Sequence, residues 1–309
     1  MTQQNGNDAR GAASADRTTT DADSAAGPGG AGADSWRRVG DRSYVMRLPG
    51  FAMNVGLVLG DERAVLVDTG SGPLEAARIL DAVREVTELP LTVVNTHAHA
   101  DHFYGNAYFA AHGVEEFWAH AAAAASMRDD GERQRVLVRA ADPAMAAGEG
   151  EHTGLHVPDR LVEEAPVDLD LGGHTVTLFH LGRGHTSGDL LVGSGKVLYA
   201  GDLVEEGAHP SFEDSYPYEW QKVLGKIIAI DELYTVIVPG HGDVVDPDFV
   251  RTQFHKLRQA IKTCSTAIHE SSTDYTKAIP VLPYGPIQSR HLILRMKDTG
   301  PSRTHSIQR

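Results

Sequence analysis

Cysteine is almost absent from this chain of 309 residues, in which Cys264 is the only one. An intramolecular disulfide and metal sites built on several thiolates are therefore excluded. The sequence also contains no apolar run of about 18 residues, the length that a membrane-spanning helix needs. Positive charge is scarce, since 28 Lys and Arg face 42 Asp and Glu for a net charge of -14. This balance disfavours nucleic-acid backbones and anionic lipid surfaces, so we expect neither nucleic acid nor membrane as a partner.

Composition divides the chain into three parts. Residues 1–35 are rich in Gly, Ala, Asp, Ser and Thr and lack the apolar segment of a secretory signal, so they predict a disordered leader. A cytoplasmic location is the corresponding default expectation. Residues 36–270 carry the patterns of an ordered domain. Residues 271–309 have mixed signals and are treated as a C-terminal extension without a structural prediction.

Within the ordered domain, apolar periodicity predicts short strands alternating with helices. The predicted strands are Ser43–Arg47, Val55–Leu59, Ala64–Val67, Leu91–Asn95, Glu116–Trp118, Val167–Leu169, Thr175–His180, Asp189–Val192, Lys196–Tyr199 and Thr235–Val238. The main predicted helices are residues 73–87, 105–112, 218–230 and 248–269. Two sheets packed face to face, with helices outside, would bury this content. Residues 121–160 predict an Ala-rich helical insert, which could serve as a lid.

The most informative segment follows a predicted buried strand and reads His97-Ala98-His99-Ala100-Asp101-His102. Imidazole and carboxylate groups suit a divalent ion such as zinc. His97 and His99 are two positions apart, so on an extended segment they face the same side. A single ion cannot easily use all four side chains from so short a loop. The spacing therefore indicates two neighbouring metal ions.

Three further segments place a His or Asp in a Gly-rich turn directly after an apolar strand. They are Gly184-His185, Gly201-Asp202 and Gly240-His241-Gly242. Each is a weak signal alone, but together with the segment 97–102 they indicate one site at the carboxyl ends of strands, a frequent place for ligands in α/β sheets.

In these residues the chain resembles the metallo-β-lactamase fold superfamily, and its glyoxalase II-like branch in particular, over about residues 37–265. The matching positions are Asp68, the segment 97–102, His185, Asp202 and His241. The resemblance implies an α/β (α+β) fold, namely a four-layer αβ/βα sandwich of two mixed β-sheets with helices on the outer faces.

The resemblance also implies roles for these residues. One metal would be held by His97, His99 and His185, and a second by Asp101, His102 and His241. Asp202 would bridge both metals, and Asp68 would orient the ligand loop without touching metal. Zinc is the expected metal, with iron or manganese as alternatives.

The implied activity is that of a dinuclear metal-dependent hydrolase acting on a small molecule. Two cations lower the pKa of a shared water from ~15.7 toward ~7, and the resulting hydroxide attacks the substrate. Asp101 is the expected catalytic residue, which holds that nucleophile in line.

Two features bear on the substrate. Zinc β-lactamases generally carry Cys or Ser where this chain has Asp202, which instead resembles the glyoxalase II, lactonase and phosphodiesterase branches. The stretch 203–221 contains five acidic residues and no Lys or Arg, so we expect it to disfavour anionic substrates. These five are Glu205, Glu206, Glu213, Asp214 and Glu219. Neutral esters or lactones therefore fit better than a β-lactam or a glutathione thioester, within an expected class of ester, thioester, lactone or related bonds.

Three alternatives remain open at this point. One is an oxidoreductase like the persulfide dioxygenases, which use a single iron. Another is a β-lactamase-like amide hydrolase. The third is a non-catalytic binding protein, although such proteins tend to lose ligands.

Overall fold

Two mixed β-sheets form the centre of the computed structural model, which describes residues 35–270 and 275–300. The seven-stranded sheet contains, in spatial order, β1 (Arg37–Arg38), β2 (Ser43–Arg47), β3 (Asn54–Leu59), β4 (Ala64–Val67), β5 (Leu91–Val94), β6 (Glu116–His120) and β7 (Arg160–Val162). The five-stranded sheet contains β8 (Val167–Asp170), β9 (Thr175–Phe179), β10 (Leu191–Ser194), β11 (Val197–Gly201) and β12 (Val236–Pro239). Its spatial order is β12-β11-β10-β9-β8. Both sheets are mixed, because β4 to β7 run parallel and β11 is parallel to β12, whereas the other neighbours are antiparallel.

The helices connect and cover these strands. Those described are α1 (Pro73–Val86), α2 (Ala100–Phe103), α3 (Asn106–Ala111), α4 (Ala121–Gln134), α5 (Pro143–Ala147), α6 (Pro217–Ile228), α7 (Pro247–Glu270) and α8 (Gly285–Asp298). Two 3₁₀ segments cover Arg135–Val138 and Tyr275–Val281. Proline at the start of α1 and α6 suits the first helical turn, where its missing N–H costs no hydrogen bond. In the described ranges, every helix is too short or too polar to be a candidate for crossing a bilayer.

Alternation along the central strands explains the layers. On β4, Ala64 and Leu66 belong to the apolar cluster that includes residues of α1 and α3, whereas Val65 and Val67 belong to the cluster shared by both sheets. On β11, alternate residues likewise face the other sheet or the cluster formed with α6, α7 and α8. Successive strand side chains point to opposite faces, so both faces of these strands are buried. The predicted four-layer αβ/βα sandwich is confirmed.

Parallel pairing brings the carboxyl ends of the central strands to one edge. Asp68 follows β4, the segment 97–102 follows β5, and Asp202 follows β11. His241 follows β12, and a bridge between Met53 and His241 joins the two sheets there. The fold therefore places the ends of four strands around a common edge.

The sequence-based division of the chain stays a prediction. The predicted leader, residues 1–35, lies outside the described residues except for its last position. Within the predicted extension, 271–309, the structure describes the second 3₁₀ segment and α8. Leu292, Ile293 and Met296 of α8 are buried in the cluster formed with the five-stranded sheet, so this helix is packed onto the domain.

Candidate metal centre

Seven side chains meet at the edge formed by the strand ends. Their donor atoms form two groups, each with all its atoms within 4.8 Å of one another. The first group is His97, His99, His185 and Asp202, and the second is Asp101, His102 and His241. The structure thus brings together all seven residues that the sequence predicts as metal ligands. Their binding of metal stays a prediction.

A change of backbone conformation inside the segment 97–102 sends its four donors in different directions. His99 is extended and precedes α2, which begins at Ala100. His97 and His99 both project into the first group, with ring centroids 4.8 Å apart, although the chain bends at residues 96–98 instead of staying extended. Asp101 and His102 project from the first helical turn toward the second group. The side chain of Asn95 donates to the His102 carbonyl at 3.0 Å, which fastens this turn to the end of β5.

The buried carboxylate of Asp68 holds this segment in place through hydrogen bonds. Its backbone has φ of 64°, a conformation that Asp tolerates better than most residues. Its carboxylate accepts from Thr96 N and Thr96 Oγ1 at 2.7 Å and from His102 Nδ1 at 2.8 Å. Because the Thr96 hydroxyl gives its proton to Asp68, it accepts from His97 Nδ1 at 3.0 Å. Both imidazoles then present an Nε2 lone pair to the centre.

Two other imidazoles also form hydrogen bonds through the ring nitrogen that points away from the donor groups. His99 Nε2 donates to Asp214 Oδ2 at 3.1 Å, and His241 Nδ1 donates to the Phe51 carbonyl at 2.9 Å. His99 therefore presents Nδ1 to the centre, and His241 presents Nε2. His185 differs, because its buried Nδ1 has no hydrogen-bond partner within the described ranges. The carboxylate of Glu205 lies 3.8 Å from that nitrogen.

These tautomers turn lone pairs toward one another. His97 Nε2 is 3.1 Å from His99 Nδ1, and His102 Nε2 is 3.3 Å from His241 Nε2. Two lone pairs at such distances repel unless a proton or a cation lies between them. Asp202 adds a buried Oδ1 for which the described residues offer no hydrogen-bond partner. The donor set therefore fits divalent cations, because each inward atom is a lone-pair donor that zinc accepts.

The Asp202 carboxylate lies between the two groups. Its Oδ2 is 3.3 Å from His185 Nε2 and 3.5 Å from His241 Nε2, and its Oδ1 is 3.4 Å from His102 Nε2. Gly240 packs against it so closely that a Cβ at position 240 would collide with Oδ1. The glycine of this turn is thus required by the approach of the backbone to Asp202.

Charge at the centre favours a cation. Burial opposes charge on Asp202, but His241 and His102 outweigh it and hold its pKa well below the ordinary value. Burial also lowers the pKa of His185, to about 4, which keeps that imidazole neutral as a ligand must be. At His102 and His241 the nearby carboxylates, Asp202 first, overcome burial and raise the pKa to about 9 and about 12. The same negative potential attracts a metal ion, which competes with those protons.

A cavity of about 900 Å³ opens onto the donors, and its lining combines apolar and acidic residues. Phe51, Leu137 and Val138 are among the apolar ones, and Leu137 is 63% exposed. Four of the five acidic residues of the stretch 203–221 also line the cavity. These are Glu205, Glu206, Glu213 and Asp214. The fifth, Glu219, instead pairs with Arg183 at 2.9 Å.

Sequence reasoning missed several residues at this cavity. Leu137 lies in a segment whose pattern reads only as helical insert, and Arg133 beside it is a cation at the cavity wall. Gln134 joins the insert to the ligand segment, accepting from Ala100 N at 2.8 Å and donating to the Ala98 carbonyl at 2.9 Å. The role of the insert as a lid stays a prediction. His209 lines the cavity outside both donor groups.

A four-layer sandwich with two adjoining His and Asp donor groups at the strand ends is the architecture of a metal-dependent hydrolase. The chain belongs to the metallo-beta-lactamase superfamily, whose family model matches residues 48–241.

Known proteins agree with this assignment. The chain is 29% identical over 211 residues to the acyl-coenzyme A thioesterase MBLAC2 of Gallus gallus, covering 61% of this chain and 72% of the relative. It is 26% identical over 198 residues to metallo-beta-lactamase type 2 of Bacillus cereus, covering 62% and 68%. Both relatives are named as hydrolases.

Solved structures show the same fold. A metallo-beta-lactamase from Pontibacter korlensis matches with a TM-score of 0.57 and 19% identity, over 72% of this chain and 98% of that chain. The DIM-1 metallo-beta-lactamase matches with a TM-score of 0.58 and 16% identity, over 73% and 98%. At these identities the likeness concerns the fold alone.

Proposed function

We propose that this protein is a dinuclear hydrolase that cleaves a carboxylic thioester or ester, or a lactone, of a small molecule. The observation that carries the proposal is the pair of donor groups, each of which brings two imidazole nitrogens together, at 3.1 Å in the first group and 3.3 Å in the second. Zinc is the proposed metal, because the donors are imidazoles and carboxylates and the described residues place no thiolate there.

The assignment of ligands follows the two groups. His97, His99 and His185 would hold one ion, Asp101, His102 and His241 the other, and Asp202 would contact both. Two bound cations would activate a water as nucleophile and polarise the substrate carbonyl. The chain itself supplies the rigid donor positions, because Asp68 fixes His102 and, through Thr96, His97.

Asp101 is the proposed catalytic residue. Its side chain is 20% exposed and lines the cavity, and its Oδ2 lies 3.3 Å from His241 Nε2. Burial alone would raise its pKa, but His102 and His241 outweigh burial and lower it to about 2, so the group is a carboxylate at neutral pH. It can therefore accept a hydrogen bond from the attacking water and orient it toward the substrate.

The lining of the cavity indicates which substrates fit. Its apolar residues Phe51, Leu137 and Val138 suit an acyl group. Its many carboxylates suit an uncharged or cationic leaving group better than one carrying phosphates. We put thioesters first among the candidate bonds, and the support for this choice is the likeness to an acyl-coenzyme A thioesterase. We therefore propose a thioester or ester with an apolar acyl part and a compact leaving group.

Metal analysis and a substrate panel test the proposal. Protein purified in zinc-supplemented medium should hold two equivalents of metal and hydrolyse acyl thioesters and esters, with the compact N-acetylcysteamine thioester cleaved faster than the coenzyme A thioester. Faster turnover of β-lactams would indicate an amide hydrolase instead. One equivalent of iron together with sulfur-dependent oxygen uptake would indicate an oxidoreductase. Asp202→Asn is the inactive control, since it weakens a donor shared by both groups.

A further inference from the structure

Helix α8 forms hydrogen bonds with the loop that precedes α6. From α8, Arg295 Nε donates to the Ser215 carbonyl at 2.7 Å and Arg295 Nη2 to the Asp214 carbonyl at 3.0 Å. Gln288 Oε1, on the same helix, accepts from Phe212 N at 2.9 Å. Three hydrogen bonds from one helix thus hold the main chain of the segment 212–215. A loop held in this way has a defined course past the cavity.

That loop carries the partner of a proposed metal ligand. The Asp214 carboxylate accepts from His99 Nε2, so the opposite nitrogen, Nδ1, is the one aimed at His97 and His185. A carboxylate on the outer nitrogen of a metal-ligating imidazole fixes its tautomer and ring plane and raises its basicity. His99 is more exposed than its two companions, with 24% of its side chain exposed against 1% for each of them. Packing alone therefore constrains His99 less, and the hydrogen bond to Asp214 matters more.

The position of α8 does not depend on these polar contacts. Its Leu292, Ile293 and Met296 are almost fully buried in the cluster that contains Trp220. Tyr284, directly before the helix, packs on Phe212 with ring centroids 5.1 Å apart. The helix is thus anchored by apolar burial, and the guanidinium of Arg295 can be removed while the anchor stays.

We propose that Arg295 is a positioning residue for the metal centre, acting through the main chain of Asp214 and Ser215 to set the carboxylate that orients His99. Helix α8 accordingly contributes to the geometry of the metal centre as well as to the packing of the domain. The inference rests on the proposed function in one respect, namely that His99 binds metal.

Zinc affinity, measured on the full-length protein, tests the series of contacts from Arg295 through Asp214 to His99. The metal-free protein is titrated with Zn²⁺ against a chromophoric chelator, and the two equivalents are resolved by their dissociation constants. Arg295→Met keeps the aliphatic stem and removes the donors, and Asp214→Asn removes the charge that faces His99. We expect each variant to weaken one equivalent by about tenfold, the lower end of the range for such partners, and to leave the other unchanged. Arg290→Met, an exposed change on the same helix, is the matched control and should bind as the unmodified chain does.

A double variant distinguishes positioning from a general loss of structure. If Arg295 acts through Asp214, Arg295→Met combined with Asp214→Asn should bind zinc no more weakly than Asp214→Asn alone. Arg295→Lys, which can still donate to one carbonyl, should recover part of the affinity. Additive losses in the double variant, or wild-type affinity in Arg295→Met, would overturn the inference while leaving the dinuclear hydrolase intact. An unmodified chain that binds no zinc would overturn both.

Discussion

The two halves of the chain contribute to the metal centre in different ways. The first half supplies four donors from one six-residue segment, the second half three donors from three separate loops. Support differs as well. Two first-half donors, His97 and His102, are held from the same half, by the buried Asp68 directly or through Thr96, and Asn95 at the end of β5 holds the turn. In the second half, His185 Nδ1 lacks a hydrogen-bond partner in the described part of the chain, and Asp214, which reaches across to His99, is held from a distant helix. We therefore expect the contacts of Asp68 to determine mainly the free energy of unfolding, and the contact of Asp214 with His99 to determine mainly the affinity for metal.

Loss of the Asp101 carboxylate should have the largest effect. Asp101→Asn removes the group that orients the attacking water, and we expect kcat to fall by about 10²–10⁴-fold. The thermal unfolding midpoint should stay near that of the unmodified protein, because Asn has nearly the same shape and volume as Asp and fills the same space. Steady-state kinetics on the best substrate of the panel measures this. Asp129→Asn, at an exposed position of α4, is the control, and equal kcat in the two variants would contradict the role of Asp101.

Asp68→Asn tests local support against distant support. The amide tolerates the same backbone conformation but cannot accept all three hydrogen bonds of a buried carboxylate. We expect a loss of about 2–3 kcal/mol in the free energy of unfolding, measured by denaturant titration. Asp214→Asn, at a side chain that is 55% exposed, should lose less than about 1 kcal/mol. Similar losses in both variants would remove the distinction between the two kinds of support.

Substrate selectivity should follow the same division, because the apolar cavity residues Phe51, Leu137 and Val138 come from the first half, whereas most of the acidic cavity residues come from the second. Leu137→Asp places a charge among the apolar residues. We expect kcat/KM to fall about tenfold for long-chain acyl thioesters, since burial of a leucine contributes about 1.5–3 kcal/mol, and to change little for the acetyl thioester. Leu233→Asp, 58% exposed and not among the cavity residues, is the matched control. A loss of kcat/KM that does not depend on the length of the acyl group would show that the acyl group lies elsewhere.

The smallest expected effect is on the pH dependence of stability, through His120 at the start of α4. His120 caps α4 by accepting from Ala122 N and stacks on His180, with ring centroids 3.9 Å apart. Burial, and next the charge of His180, lower the pKa of His120 from 6.5 to about 4. The unfolded chain therefore binds a proton at this position between pH 6.5 and 4 that the folded chain does not, so stability falls as pH drops through this range.

His120→Asn tests this account of the acid response. Asn preserves the cap but does not titrate, so the fall in unfolding midpoint between pH 7 and pH 5 should be smaller by a few degrees in the variant. Thermal unfolding at the two pH values measures it. The exposed His255→Asn should keep the full decline. An identical decline in His120→Asn would place the acid sensitivity at other groups.

Sequence reasoning succeeded where a side chain and its partners are close along the chain. The apolar run Ala64–Val67 was predictable as strand β4, because that prediction depends only on local sequence. His97 and His99 share one donor group as expected, although the chain between them is bent. Asp202 and His241 were predictable because their Gly-rich turns follow apolar strands directly.

Other features could not be predicted because their causes are distant in sequence. The link from Asp214 to His99 spans 115 positions, and the acidic stretch 203–221 read only as a charged lining. Pro280 and Pro283 precede α8, and Pro286 lies in its first turn, so the prolines obscure the helical pattern of this region. Its buried residues are defined by the surface on which the helix packs, and that surface exists only in the folded chain. Leu137 likewise has no local signal for a place at the cavity.

The central claim, that two cations are held by these two donor groups, is tested most directly by anomalous diffraction at the zinc absorption edge from crystals of the zinc-loaded protein. The account predicts two anomalous peaks, one among the inward nitrogens of His97, His99 and His185 and one among the donor atoms of Asp101, His102 and His241. A single peak, or peaks away from these atoms, would contradict it.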